Sequence, residues 1–214
     1  MAELWSKVII PQQRRFRQAR AALIRQIAPT IEGASVVDVG GSLPFWRHVG
    51  HILKPGSVRI FNVSEHRTTM FETRHEDWLT VQLYDGKRLP LEDKEADFVV
   101  CNSVIEHVPP EQRENLAREI RRVGRTYFVQ TPSRRFPLEL HFGLPFVHWL
   151  PRPLAREIVR VSPFNLLSKV NVRNYFDETH LLPKKELQGY FPRAEIRTET
   201  FVGLPKSNIA FGHA

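Results

Sequence analysis

The sequence contains a single cysteine, Cys101, in 214 residues. One thiol excludes a disulfide framework and a cysteine-based zinc site. Cys101 lies inside the apolar run Phe98-Val99-Val100-Cys101, where it reads as a small buried hydrophobe. Long apolar runs are also missing, and no stretch reaches the length needed to span a bilayer. The first ten residues carry an apolar patch interrupted by Lys7, without the apolar core or small-residue cleavage site of a signal peptide. The expectation is a soluble, cytoplasmic protein. Internal repeats and low-complexity linkers are absent, and the length suits one domain, residues 1–214. Acidic excess is absent too. Thirty-one Lys and Arg against 23 Asp and Glu give a formal charge of +8, which points to anionic partners or simply to the arginine usage of a GC-rich genome.

What is present alternates between strand and helix signals. Residues 12–28 read as a basic amphipathic helix with Phe16, Ala19, Leu23 and Ile27 at helical spacing, stopped by Pro29. Such a helix either packs on the domain as a surface element or serves as a membrane-surface or substrate-covering helix. Val36–Val39 reads as a buried parallel strand running into Gly40-Gly41-Ser42. Val58–Val63, Thr80–Leu83, Asp97–Asn102 and Tyr127–Gln130 read as further strands. Pro110 opens a helix with Glu111 and Glu114 near its positive end, and Gly124 suits the position past its other end. The last two strands, Glu195–Val202 and Ser207–Phe211, are too closely linked for a parallel crossover and must form an antiparallel hairpin. The pattern predicts an α/β fold: a Rossmann-like, doubly wound, mostly parallel seven-stranded sheet ending in an antiparallel hairpin. Residues 132–175 fit neither period. Rich in Pro, Phe and Trp, they read as an insertion, with a helical portion at Leu154–Val161.

The chemistry concentrates where strands end. Asp38-Val39-Gly40-Gly41-Ser42 lets backbone approach a ligand at a helix N-terminus, although the third glycine of a dinucleotide fingerprint is missing. Further along come Phe61-Asn62-Val63-Ser64, then Asp85-Gly86 with Leu89-Pro90-Leu91. The run Ala96 to Val108, with Asn102 and Glu106-His107, and the turn Thr131-Pro132-Ser133 complete the series. Taken in order, these segments resemble class I S-adenosylmethionine-dependent methyltransferases of the small-molecule type over roughly residues 34–133, plus the final hairpin.

The resemblance implies S-adenosylmethionine as cofactor. It implies that Gly40 and Gly41 admit the methionine moiety, and that Asp38 binds its amino group or orients the loop. Asn62 would hold the ribose, Asp85 and Gly86 the adenine amine, and Asn102 would lie where backbone contacts to the cofactor arise. Two departures stand out. Ser42 replaces the second glycine of the motif and fits only at negative φ or with a shifted loop. Asn62 replaces the ribose-binding carboxylate and lacks its charge-assisted bond, for which Glu65 could compensate.

His107 is the first candidate for a general base, Glu106 its orienter and His141 the second base. Glu106-His107 with a histidine after a Thr-Pro turn resembles the metal-binding pattern of small-RNA 2′-O-methyltransferases. Ser103 stands where those carry a further Glu, so no metal is assigned. Ubiquinone-pathway O-methyltransferases carry a Glu-His pair at the same place. Phe136, Phe142, Phe146 and Trp149 either line an apolar acceptor pocket under a lid or form a satellite cluster. The leading expectation is O-directed methyl transfer to a small-molecule or lipid-linked acceptor, with peripheral membrane contact open to it. The alternatives are an RNA 2′-O-methyltransferase, with nucleic acid as partner, and a non-catalytic binding protein on the same fold.

Overall fold

The computed structural model describes residues 2–63, 76–139, 141–162, 165 and 172–214, with side chains from residue 15 onward. Glu65, expected to support the ribose edge, lies outside the described residues.

The chain divides into two compact units, residues 1–102, 115–128 and 212–214 forming the first and residues 103–114 and 129–211 the second. The first opens with helix α1 (Ala2–Ile27) and continues through β1 (Ser35–Val39), α2 (Leu43–Leu53), β2 (Ser57–Asn62), β3 (Leu79–Leu83) and β4 (Ala96–Asn102). Helix α3 (Pro110–Val123) then leads directly into β5 (Gly124–Pro132). The second unit adds the two-residue strands β6 (Leu138–Glu139) and β7 (Leu144–Pro145) and the short helices α4 (Arg152–Ile158), α5 (Val172–Glu178) and α6 (Lys184–Tyr190). It ends in the hairpin β8 (Glu195–Phe201) and β9 (Leu204–His213).

The sheet has seven strands in the order β3-β2-β1-β4-β5-β9-β8. β1 pairs in parallel with β2 and β4, β2 pairs in parallel with β3, and β8 and β9 are antiparallel. The strand order reverses between β1 and β4, which makes the C-terminal ends of β1, β2 and β4 the ligand-binding edge of such a sheet. The doubly wound expectation holds.

Burial explains the central strands. Val36, Val37, Val39, Ile60, Phe61, Phe98, Val99, Val100 and Cys101 are all essentially inaccessible, as strands covered on both faces require. β-branched and aromatic side chains dominate this layer and fill it without polar cost.

Helix α1 differs from expectation in extent and face. It begins at Ala2 rather than residue 12, and its inward side carries Arg20, Ala21 and Ile24, followed by Ala28, while Ala19 is exposed. The physical reason is Arg20, whose Nη1 donates to Asn102 Oδ1 at 2.8 Å. That bond turns the helix so that an arginine sits on its buried stripe. Helix α1 packs against α2, as a surface helix of the domain does.

The insertion splits. Phe136 and Phe142 are buried, Phe142 in a cluster with Val147, Ala155, Val159, Val172 and Phe176. Phe146 and Trp149 face solvent. Phe142 thus belongs to a satellite core, and the four aromatics do not share one surface.

Candidate functional site

In the first unit, β1 ends at Val39 and the chain turns at Gly40, whose φ of +74° needs a residue without a Cβ. Gly40 N–H donates to the Phe61 carbonyl at 2.8 Å, tying the loop to β2. Gly41 is required by space: a Cβ there would lie 1.7 Å from Asp38 Oδ2. Ser42 sits at φ −140°, so serine is accommodated without strain, and its carbonyl accepts from the amides of Phe45 and Trp46 as α2 begins.

Asp38 is buried, with 1% of its surface exposed. Its Oδ2 accepts a 2.6 Å hydrogen bond from Trp46 Nε1, while Oδ1 has no hydrogen-bond partner among the described residues. Burial pushes its pKa up to about 7, and the Trp46 bond offsets part of that shift. Trp46 was not among the residues singled out from sequence. Its position eight residues after Asp38, in the first turn of the following helix, was the only signal available.

Asn62, at the end of β2, is 2% exposed. Its Nδ2 donates to the Gly41 carbonyl at 3.2 Å, and its Oδ1, also buried, has no hydrogen-bond partner among the described residues. The substitution that removes the usual carboxylate therefore has a local function: an amide can hold the glycine loop, and a carboxylate cannot donate to a carbonyl. Asp85 is exposed, and its Oδ1 accepts from the amides of Lys87 and Arg88 at 2.8 and 2.9 Å. Those bonds hold its carboxyl below the usual range. Gly86 follows at φ +75°, with Val63 Cγ1 3.2 Å from where a Cβ would stand. Asn102 closes β4 with Arg20 on its side-chain oxygen. Asp38, Gly40, Gly41, Ser42 and Asn62 thus form one hydrogen-bonded corner. Asp85 and Gly86 form a separate turn after β3.

The chemistry of this corner fits S-adenosylmethionine. Two buried oxygens without partners, on Asp38 and Asn62, are acceptors of the kind that an ammonium and sugar hydroxyls require.

In the second unit, Glu106, His107 and His141 come together, each offering one donor atom within 4.8 Å of the others. Glu106 is fully buried and its Oε2 accepts from Thr131 Oγ1 at 3.0 Å. Its Oε1 lies 3.7 Å from His141 Nε2. His141 Nδ1 contacts Glu139 Oε1 at 2.7 Å, so one carboxylate stands at each ring nitrogen. Burial alone would lower the His141 pKa. The Glu139 hydrogen bond and the charges of Glu139 and Glu106 outweigh it and raise the pKa above the ordinary histidine value.

The His107 ring stacks on Tyr175 with centroids 5.1 Å apart and meets the His141 ring edge-on at 4.9 Å. Thr179 Oγ1 lies 3.3 Å from its Nδ1 and Tyr175 Oη 3.4 Å from its Nε2. The sequence reading found the two histidines and Glu106. It missed Glu139, Tyr175 and Thr179, which come from the irregular insertion and from α5 and its end. Only Glu139, two residues before His141, carried a local signal.

Residues 44–126 match the methyltransferase domain family model. No curated protein matches the chain. Among solved structures, the chain is similar to a Mesorhizobium loti S-adenosylmethionine-dependent methyltransferase (TM-score 0.60, 13% identity, covering 90% of this chain and 96% of that one). It is also similar to a chain in the complex between the Haloferax volcanii Trm112 methyltransferase activator and a methyltransferase (TM-score 0.58, 16% identity, 99% and 95% covered). A third is the magnesium protoporphyrin IX methyltransferase from Synechocystis PCC 6803 with bound S-adenosylhomocysteine (TM-score 0.55, 14% identity, 93% and 82% covered). At these identities the likeness is one of fold. The domain match over residues 44–126 and the fold are those of class I S-adenosylmethionine-dependent methyltransferases, which this chain resembles. S-adenosylmethionine is the cofactor this class implies.

Proposed function

We propose that the chain catalyses methyl transfer from S-adenosylmethionine to an oxygen of a small-molecule or lipid-linked acceptor. When bound, the cofactor supplies a methyl group on an activated sulfonium. The chain's own residues position and deprotonate. Asp38 receives the cofactor's amino group on its unpartnered oxygen, Asn62 the ribose hydroxyls, and the glycine loop the methionine backbone. Asp85 serves the adenine amine with the carboxylate oxygen that its turn leaves over.

The observation that carries the oxygen preference is the His107 environment. Its two ring nitrogens face hydroxyl groups, and its ring is held between Tyr175 and His141. Thr179 Oγ1 donates to the Tyr175 carbonyl and so accepts from His107 Nδ1, which leaves Nε2 as the basic nitrogen that a hydroxyl acceptor needs. His141, flanked by Glu139 and Glu106, keeps its proton more readily than an ordinary histidine.

The test is methyl transfer from labelled S-adenosylmethionine to a panel of phenolic, lipid and RNA acceptors, with calorimetric cofactor titration alongside. Turnover on a hydroxyl acceptor, reduced in His107→Gln at unchanged cofactor affinity, is the expected result. Transfer to nitrogen or carbon acceptors alone would overturn the oxygen reading. Absence of cofactor binding would replace the enzyme with a binding protein on this fold.

A second reading is favoured by one observation, the convergence of Glu106, His107 and His141. A carboxylate and two histidines can hold a divalent cation, with Glu139 orienting the His141 ring from behind. Such a cation would orient the acceptor hydroxyl. Metal content after dialysis against zinc or manganese, compared with His141→Ala, decides between the two. Stoichiometric metal lost in the variant favours the second.

A further inference from the structure

The second unit contains a cavity of about 580 Å³ that the methyl-transfer reading does not use. Four cations, Arg134, Arg135, Lys184 and Lys185, line it together with Trp149 and Asn208, and no Asp or Glu does. None of the four makes an ion pair with a carboxylate among the described residues. Elsewhere in the same unit exposed arginines are matched: Arg156 with Asp177, Arg160 and Arg173 with Glu157, Arg197 with Glu195. Four like charges around one concavity repel one another, and an anion is what relieves them.

The hairpin that lines one side of this cavity carries exposed apolar side chains at its turn. Thr198 and Pro205 line the cavity from the two strands of the final hairpin. Just beyond them the hairpin turns at Val202-Gly203, between the paired residues Phe201 and Leu204. Val202 is 83% exposed, and Phe201 and Leu204 are also exposed. Phe201 reaches back to Phe136 with ring centroids 6.5 Å apart. On the other flank Trp149, half exposed, donates its Nε1 to the Arg134 carbonyl and packs on exposed Phe146 at 5.2 Å.

The turn pays twice for its sequence. Val202 has φ +50° and Gly203 φ +75°, the positions where two-residue hairpin turns favour Asn-Gly. A β-branched residue is the least suited to positive φ, and an exposed valine gains nothing in water. Neither choice serves the fold of the hairpin.

We propose that this corner is a docking site for an anionic phospholipid surface, with a headgroup phosphate in the cationic cavity and Val202, Leu204, Phe146 and Trp149 entering the headgroup boundary. Cations that neutralise phosphate beside aromatic and aliphatic side chains are the chemistry of interfacial binding. The proposal deepens the lipid-linked reading of the acceptor and rests on it. Vesicle binding is measured without methyl transfer, so either can fail alone.

The experiment is flotation of the full chain with phosphatidylcholine vesicles, with and without phosphatidylglycerol. Binding is expected to the anionic vesicles only and to fall with salt. Lys184→Gln with Lys185→Gln is expected to weaken it by roughly thirtyfold, about fivefold per lost charge. Val202→Asn is expected to raise the thermal midpoint while weakening vesicle binding, a pair of effects that misfolding cannot produce. Equal binding to neutral vesicles, or binding indifferent to these variants, overturns the proposal. So does displacement by glycerol 3-phosphate, which would make the cavity a site for a small phosphate. Variants that keep vesicle binding but lose a single-stranded RNA oligonucleotide would assign the cavity to nucleic acid and overturn it as well.

Discussion

The two units handle charge in opposite ways. In the first, Arg25 meets Glu32, Arg47 meets Glu76, Arg59 meets Glu95, and Arg122 meets Glu119 and Asp93. Its buried acid, Asp38, keeps one oxygen on Trp46 and has the other without a partner. In the second, surface pairs are equally common, yet four cations share a cavity with no acid. The difference separates charges that hold the protein together from charges aimed at something outside it. Satisfied pairs on the surface contribute little to stability. Unmatched groups, a buried carboxylate oxygen in one unit and a cationic cavity in the other, mark where ligand chemistry is legible.

The sharpest way to break this comparison is to fill the glycine corner. Gly41→Ala places a methyl where the Asp38 carboxylate stands, and Asp38 is pinned by Trp46. We expect destabilisation of about 1–3 kcal/mol and loss of cofactor binding by calorimetry. Asp38 itself should show a pH signature. Its folded pKa of about 7 lies well above the usual carboxylate range, so the native state holds this proton more tightly than the unfolded chain does. Its contribution therefore falls as pH rises from about 4 to 7, by up to ~4 kcal/mol. Asp38→Asn should gain stability relative to the parent across that window in denaturant titrations, while losing cofactor affinity. A difference that is flat with pH would mean that Asp38 is ionised in the folded protein already at pH 4.

Much of this corner was legible from sequence because it is local: a strand, a turn and a helix start within eleven residues. The negative φ needed for Ser42 follows from steric rules, and the structure supplies it. The rest was harder to read because tertiary contacts decide it. The inward face of α1 depends on Arg20 meeting Asn102, 82 residues away. Tyr175 and Thr179 reach His107 from an irregular stretch whose periodicity says nothing. The aromatic residues of residues 132–175 look alike in sequence, yet Phe142 is core and Trp149 is surface, since only packing separates them.

In the second unit, His107→Gln should lower turnover by roughly 10²–10⁴-fold with cofactor affinity unchanged. A smaller loss would move the base elsewhere. Glu139→Gln addresses the neighbouring histidine. His141 has a raised pKa, so its stabilising contribution is present below the ordinary histidine value and is lost as pH rises through the folded one. Removing Glu139 takes away the largest raising influence, and the His141 resonance should then titrate at lower pH by NMR. An unchanged titration would place the controlling charge on Glu106.

The smallest expected effect is also the most discriminating for the cofactor corner. Restoring the missing carboxylate by Asn62→Asp should tighten ribose binding if the amide is merely a weak substitute. The geometry argues otherwise. Asn62 Nδ2 donates to the Gly41 carbonyl at 3.2 Å, and an aspartate oxygen there would face that carbonyl with two acceptors and no proton. The glycine loop would lose its tie to β2 through this side chain and keep only the Gly40–Phe61 bond. The lost hydrogen bond, worth about 1 kcal/mol, outweighs what an added charge gains at a partly solvated ribose, so S-adenosylmethionine affinity should fall roughly fivefold in calorimetry. A rise would show that the loop holds its shape without Asn62 and that the amide is a weakened ribose ligand.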